Sequence, residues 1–225
     1  MIRLEKVSHA YGERVVLRDV TLELAQARIG VIGANGSGKS TFARLLNGLV
    51  VPSSGTVTVD GLDTARDGAA VRRTVGFVFS DPDAQIVMPT VLEDVEFSLR
   101  RKGIDKALMR RQAEEVLRRF GLGDHLEHPA HLLSSGQKQN LALASVLVTN
   151  PRVLVCDEPT TLLDLRHTRR VAELLATLAQ QVILVTHDLD LVADWDRVLV
   201  IDEAQVAFDG PGPEAVVRYR QWMAT

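Results

Sequence analysis

Cysteine is almost missing from this chain of 225 residues, which carries one, Cys156. Without a second thiol there is no intrachain disulfide framework, and a reducing compartment suits the sequence. Long apolar runs are missing as well. The longest candidate, residues 141–148, is eight residues and contains Ser145, whereas a membrane-crossing helix needs about 20. The N-terminus, Met1-Ile2-Arg3-Leu4-Glu5, lacks the basic-then-apolar order of a secretory leader. Aromatic residues make up 4%, and 26 Lys plus Arg against 29 Asp plus Glu leave a net charge of −3. That balance excludes a nucleic-acid polycation and a charge-driven disordered tail. There is no internal repeat and no low-complexity linker. A soluble intracellular protein of one to two domains is expected, and a chain this long buries roughly 70% of its unfolded surface without staples.

What is present is an alternation of short β-rich runs with helical periods, the mark of an α/β fold. Residues 2–7, 20–24, 56–60 and 74–79 read as strands with partial alternation. Residues 28–33, 152–156, 181–185 and 197–201 are nearly continuous apolar runs, as strands covered on both faces are. Helical periods follow Lys39, Thr90, Asp105, Ser134 and Leu163, and a further helix is read at 216–223. Thr90 with Glu93, and Ser134 with Gln137, fit the reciprocal capping box.

Gly33-Ala34-Asn35-Gly36-Ser37-Gly38-Lys39-Ser40 satisfies the phosphate-loop pattern, between an apolar strand and a helix read at 41–49, the context the motif needs. Its glycines let successive N–H groups turn inward around phosphate oxygens, and the helix N-terminus adds positive potential. Lys39 supplies a mobile cation for the outer phosphates, and Ser40 a hydroxyl for Mg²⁺. Nucleotide binding follows.

Far downstream, Val153-Leu154-Val155-Cys156-Asp157 is an apolar strand ending in an acid, with Glu158 next. An Asp there holds Mg²⁺ or its water shell, and a neighbouring carboxylate polarises the attacking water. Alone, Asp157-Glu158-Pro159 would merely turn a strand into a loop. His187 follows another buried strand. Alone it reads as a cap or core histidine; on the same sheet rim as Asp157 it would touch the γ-phosphate or position the water.

With Leu133-Ser134-Ser135-Gly136-Gln137 the order becomes diagnostic. Over nearly its full length the chain resembles the nucleotide-binding subunits of ATP-binding-cassette transporters. The succession is aromatic Tyr11, the phosphate loop with Thr41 after it, the signature 133–137, the acidic strand 153–158 and the switch His187. The resemblance implies one cassette over residues 1–225, with a mainly parallel core sheet, an N-terminal antiparallel β-subdomain and a helical signature subdomain at about 85–150. It implies a head-to-tail dimer sandwiching two ATP, Tyr11 stacking on adenine, Ser134, Ser135, Gly136 and Gln137 facing the partner's nucleotide, and Asp164 as the acid that communicates between sites.

A narrower resemblance lies in Val78-Phe79-Ser80-Asp81-Pro82-Asp83-Ala84-Gln85, with Gln137-Lys138-Gln139. It is similar to ATPases of energy-coupling-factor importers, which take up vitamins and transition-metal ions. It implies a peripheral place on the cytoplasmic face of the membrane, beneath an integral coupling subunit and a small substrate-binding membrane subunit, with a homodimer or a paralogous heterodimer of ATPases. No nucleic-acid partner is expected, given the net charge and the 4% of aromatic residues. In length the chain looks like the short ATPase of tripartite biotin transporters. A cassette ATPase of iron–sulfur cluster assembly, or of a conventional importer or exporter, shares the core motifs and remains open.

Three positions depart from the pattern. Ser80 stands where a glutamine usually reaches Mg²⁺, leaving Ser80 through a water, or Gln85, to serve instead. Ser135 replaces the first glycine of the signature, and Asn140 stands where an arginine often follows. Modest ATPase activity is expected. Residues 100–119 carry eight basic and three acidic side chains, read as a solvated helical surface or as a surface for anionic lipid or an acidic partner.

Overall fold

The computed structural model describes residues 1–224. Its elements run β1 (Ile2–Tyr11), β2 (Arg14–Leu24), β3 (Arg28–Ile32), α1 (Lys39–Leu46), β4 (Ser54–Val59), β5 (Leu62–Asp63), α2 (Gly68–Thr74) and β6 (Val75–Val78). They continue with α3 (Val91–Leu99), α4 (Lys106–Arg119), α5 (Ser135–Leu147), β7 (Val153–Asp157), α6 (Leu165–Thr177), β8 (Gln181–Val185), β9 (Arg197–Asp202), β10 (Gln205–Gly210) and α7 (Gly212–Met223).

Two sheets form. One is antiparallel, in the order β2-β1-β4-β5. The other has the order β10-β9-β3-β8-β7-β6, its last five strands parallel and β10 an antiparallel edge. Period-two alternation sends each central strand's side chains to two different cores. Val153 and Val155 of β7, Ile183 and Val185 of β8, and Leu199 and Ile201 of β9 face α1 and the antiparallel sheet. Leu154 and Cys156, Val182 and Leu184, and Val198 and Val200 face the opposite core, with α3 to α7. Both faces are thus covered, which is why these strands read as unbroken apolar runs.

Both capping boxes form: Thr90 and Glu93 close the start of α3, and Ser134 and Gln137 the start of α5. Helix α1 begins two residues earlier than the sequence suggests and ends at Leu46. Strand β2 starts at Arg14 rather than at residue 20, because Asp19 takes φ 48° and the pairing register shifts, which lets the Arg18-Asp19 pair sit inside a strand. Strand β10 is not signalled at all, since its hairpin turn places Glu203 (φ 44°) and Ala204 (φ 63°) in the left-handed region without Gly or Asn. The short β5 and α2 are likewise additions to the sequence reading.

The segment 100–119 becomes a single 3-10 turn, Arg100–Lys102, and helix α4. Arg110 pairs with Glu114 and Glu127, Arg118 pairs with Glu114, and Lys102 donates to Thr149 O. Three of its eight basic side chains, Lys102, Arg110 and Arg118, are therefore used within the protein. No described helix is long and apolar enough to cross a membrane.

Candidate functional site

The phosphate loop leaves the carboxyl end of β3, at the centre of the parallel sheet, where β9 and β8 flank it. Gly33 has φ 150°, and a Cβ there would stand 2.1 Å from Ile201 O, so the loop passes β9 at a distance only glycine permits. The N-cap of α1 is Gly38, with no side-chain cap and no acid in the first turn, so the helix's free N–H groups keep their positive potential. Within the loop, Ser37 Oγ is buried with no hydrogen-bond partner. Lys39 is buried, and its Nζ donates to Gly33 O and Ala34 O, each at 2.9 Å. Burial pulls the Lys39 pKa below its ordinary value, opposed by Glu158 and Asp157.

Ser40 Oγ donates to Asp157 Oδ1 at 2.8 Å, joining two motifs 117 residues apart. Arg44 Nη2 stands 3.8 Å from Asp157 Oδ2. Asp157 ends β7 and is buried, and this burial raises its pKa; the Ser40 hydrogen bond and Arg44 oppose the rise. Cys156, facing the other core, is a buried thiol whose pKa is pushed up by the same desolvation. Among the described residues no group of three or more His, Cys, Asp and Glu could by itself hold a metal ion. The oxygen-only pair of Ser40 and Asp157 beside the phosphate loop fits Mg²⁺, which binds through one or two protein oxygens plus phosphate and water.

Glu158 takes φ 54°, a left-handed backbone that costs a non-glycine residue roughly 1–2 kcal/mol. In that conformation its N–H bonds Val185 O at the end of β8. Its carboxylate is reached by three donors, all at Oε2: His187 Nδ1 at 2.6 Å, His187 N at 3.3 Å and Thr161 Oγ1 at 3.3 Å. No donor reaches Oε1 among the described residues, so that oxygen is the open one. Thr161 was not singled out from sequence.

The signature lies elsewhere. Ser134 N-caps α5, accepting from Gln137 N at 3.3 Å while Gln137 Oε1 accepts from Ser134 N at 2.9 Å. Ser134 and Ser135 are exposed and Gly136 is buried. No hydrogen bond or ion pair joins residues 134–137 to the phosphate loop, Asp157, Glu158 or His187 among the described residues. Asp164 caps α6, accepting from His167 N at 2.9 Å.

Tyr11 is 51% exposed at the end of β1, edge-on to His9. Its cross-strand partner Arg14 donates to Gly36 O at 3.2 Å, which brings the β1–β2 hairpin against the phosphate loop. Arg14 is a contact the sequence did not signal. Ser80 follows β6 on the same sheet rim. Gln85 is committed elsewhere: its Oε1 accepts from Phe79 N and its Nε2 donates to Ala142 O. Of the apolar residues Ile86, Val87 and Met88 that follow Gln85, Val87 is exposed while Ile86 packs against the core.

Comparison with known proteins gives a consistent answer. The family model described as ABC transporter matches residues 17–161. The biotin transport ATP-binding protein BioM of Rhizobium etli is 47% identical over 220 residues, covering 98% of each chain. The energy-coupling factor transporter ATP-binding protein EcfA1 of Caldanaerobacter subterraneus is 39% identical over 226 residues, 95% of this chain and 82% of that one. Among solved structures, cbiO1 from Clostridium perfringens, part of the ABC transporter complex cbiONQ, superposes with a TM-score of 0.85 at 31% identity, covering 97% of this chain and 92% of that one.

Proposed function

The chain belongs to the ABC transporter family of ATP-binding proteins, and from that premise we propose that it is the ATP-hydrolysing subunit of an energy-coupling-factor-type importer. Biotin is the cargo named by the relatives, and a transition-metal ion such as cobalt is the other cargo that the resemblance allows. The observation that carries the reading is the Ser40–Asp157 hydrogen bond, which puts the phosphate loop and the acid pair in one site.

In the proposed mechanism, residues 33–41 hold the ATP phosphates. Lys39, held at the loop by two carbonyls, keeps a third donor for the outer phosphates. Ser40 and Asp157 would hold a Mg²⁺ ion, which when bound would supply positive charge to the phosphate oxygens. Glu158 accepts the water's proton at Oε1 while His187 and Thr161 fix Oε2, and attack on the γ-phosphate proceeds in line. Ser134, Ser135, Gly136 and Gln137 lie on a different element from these groups, which is what a signature completing the site of a second cassette requires. Tyr11 stacks on the adenine.

We further propose one cassette over residues 1–225, with 85–150 as its helical lobe. Coupling to membrane helices occurs at residues 80–95, where Val87 is open. Three ties run from this segment to the signature helix: Gln85 to Ala142 O, Lys138 Nζ to Asp83 at 2.7 Å, and Ser145 Oγ to Asp94 Oδ2 at 2.8 Å. Movement of the docked helices would then displace the signature itself. The membrane partners are an integral coupling subunit and a small substrate-binding subunit, with this chain peripheral on the cytoplasmic face. An iron–sulfur assembly role finds no support in the relatives described above.

The test is to tag the chain in its native cell, solubilise membranes gently and identify co-purifying proteins by mass spectrometry. Stoichiometric recovery of an integral coupling protein and a small membrane protein is expected, and the ligand of the latter names the cargo. Recovery only from cytosol, with soluble scaffold proteins, would overturn the importer reading.

A further inference from the structure

The loop that begins at Glu158 ends at Asp164, the N-cap of α6. One helical turn on, His167 is gripped from two sides. Its Nδ1 lies 2.9 Å and 3.0 Å from Oδ1 and Oδ2 of Asp164, which also accepts the His167 backbone N–H. These bonds hold the Asp164 carboxyl below the usual carboxylate range. On the other side, the ring lies flush against Gly136, the second residue of α5. A Cβ added at Gly136 would stand 2.5 Å from His167 Cδ2, 2.8 Å from Nε2 and 2.9 Å from Cγ. The first turn of the signature helix and the start of α6 are therefore separated by one imidazole, with no space for a Cβ at Gly136. The neighbouring signature residue, Gln137, is steadied separately by His125, 3.2 Å away.

We infer that His167 is a positioning residue for hydrolysis, setting the place of the signature turn relative to the loop that carries Glu158. The physical reasoning is short. Asp164 terminates a seven-residue connection that starts at the general base, and Thr161 binds that connection back to Glu158. Gly136 belongs to the helix N-terminus that serves a second copy's nucleotide under the reading proposed above, on which this inference rests. A shim of fixed thickness between them keeps the chain's own base and the signature it offers in one rigid relation. Displacements of about 1 Å at such a junction cost up to about 100-fold in rate without removing a reacting group.

Three variants of the full-length protein separate the two contacts. His167→Ala removes both, His167→Phe keeps a ring on Gly136 but loses the Asp164 bond, and His167→Asn keeps an amide donor for Asp164 but vacates Gly136. Steady-state ATP hydrolysis, equilibrium ATP binding and thermal melting are measured for each. His167→Ala is expected to lower kcat by about 10- to 100-fold while ATP affinity stays within about twofold, with the Hill coefficient for ATP falling toward unity. His167→Phe is expected to recover most of kcat and His167→Asn little of it. Unchanged kcat in His167→Ala, or a fall in kcat matched by a parallel loss of ATP binding or melting temperature in all three variants, would overturn the inference and leave the proposed function standing. A wild-type protein without ATP turnover would overturn both.

Discussion

Nδ1 of His187 stands 2.6 Å from Oε2 of Glu158, and no donor reaches Oε1 of the same carboxylate among the described residues. One oxygen is thus anchored and the other open, and under the proposed mechanism the open one takes the water's proton. Because the Nδ1 position faces a carboxylate, it carries the proton, which leaves Nε2 directed away from Glu158. Glu158→Gln should lower turnover by roughly 10²–10⁴ with ATP binding retained. His187→Ala should have a smaller effect, because Thr161 and the backbone N–H at position 187 still hold Oε2. Single-turnover assays on both variants check the order; normal hydrolysis by Glu158→Gln would remove Glu158 from the base role.

Ser80 follows β6 at the position where the resemblance puts a glutamine that reaches the metal. Gln85 cannot substitute, since both ends of its amide are bonded, to Phe79 N and Ala142 O. Losing one aligned donor costs about 10²–10³ in rate where it acts on developing charge. Ser80→Gln is therefore expected to raise kcat by about tenfold or more, with little change in the KM for ATP. Turnover equal to wild type would show that position 80 contributes nothing to the reaction.

Local rules made much of this architecture legible. Ser134-x-x-Gln137 and Thr90-x-x-Glu93 form their boxes because each contact spans three residues and needs no distant partner. The two-faced strands announce themselves because burial on both sides removes polar residues. What escaped depends on neighbours brought from far along the chain. Arg14 matters through Gly36 O, and His167 through the missing Cβ of Gly136. The β10 hairpin escaped for a different reason, since its turn residues Glu203 and Ala204 adopt left-handed backbone without the usual turn chemistry.

Asp157 carries opposite pH signatures in stability and in activity. Burial raises its pKa above the ordinary 3.8, so the folded state binds a proton at pH values where the unfolded chain does not. Its stabilising contribution is present below the unfolded value and is lost as pH rises through the folded one. Cation binding runs the other way, because only the carboxylate holds Mg²⁺ well. Apparent Mg²⁺ affinity should begin to fall, as pH is lowered, above the normal carboxylate range. Calorimetric titration of Mg²⁺ with ATP from neutral to mildly acid pH, repeated on Asp157→Asn, checks this; the variant should bind weakly without that acid limb. An identical limb in the variant would assign it to another group.

Asp94 is buried in the first turns of α3 and holds three donors from two other places in the chain. Its Oδ1 accepts from Val87 N at 2.8 Å and Met88 N at 3.1 Å, and its Oδ2 accepts from Ser145 Oγ of α5 at 2.8 Å. One carboxylate thereby pins the open apolar segment around Val87 to the signature helix. Removing it leaves the Ser145 hydroxyl buried without an acceptor and frees two backbone N–H groups. Hydrogen bonds to a charged group are worth about 1.5–3 kcal/mol, so Asp94→Ala should lose about 3 kcal/mol of stability. Asp94→Asn keeps one acceptor and should lose less. Urea unfolding of both variants reads this directly, and a loss below about 0.5 kcal/mol, the range of an ordinary surface substitution, would contradict it. Because Asp94 touches no part of the phosphate site, Asp94→Asn should keep ATP affinity while transport per ATP hydrolysed declines. A variant with intact coupling would show that the 85–90 segment does not need this anchor to pass force to α5.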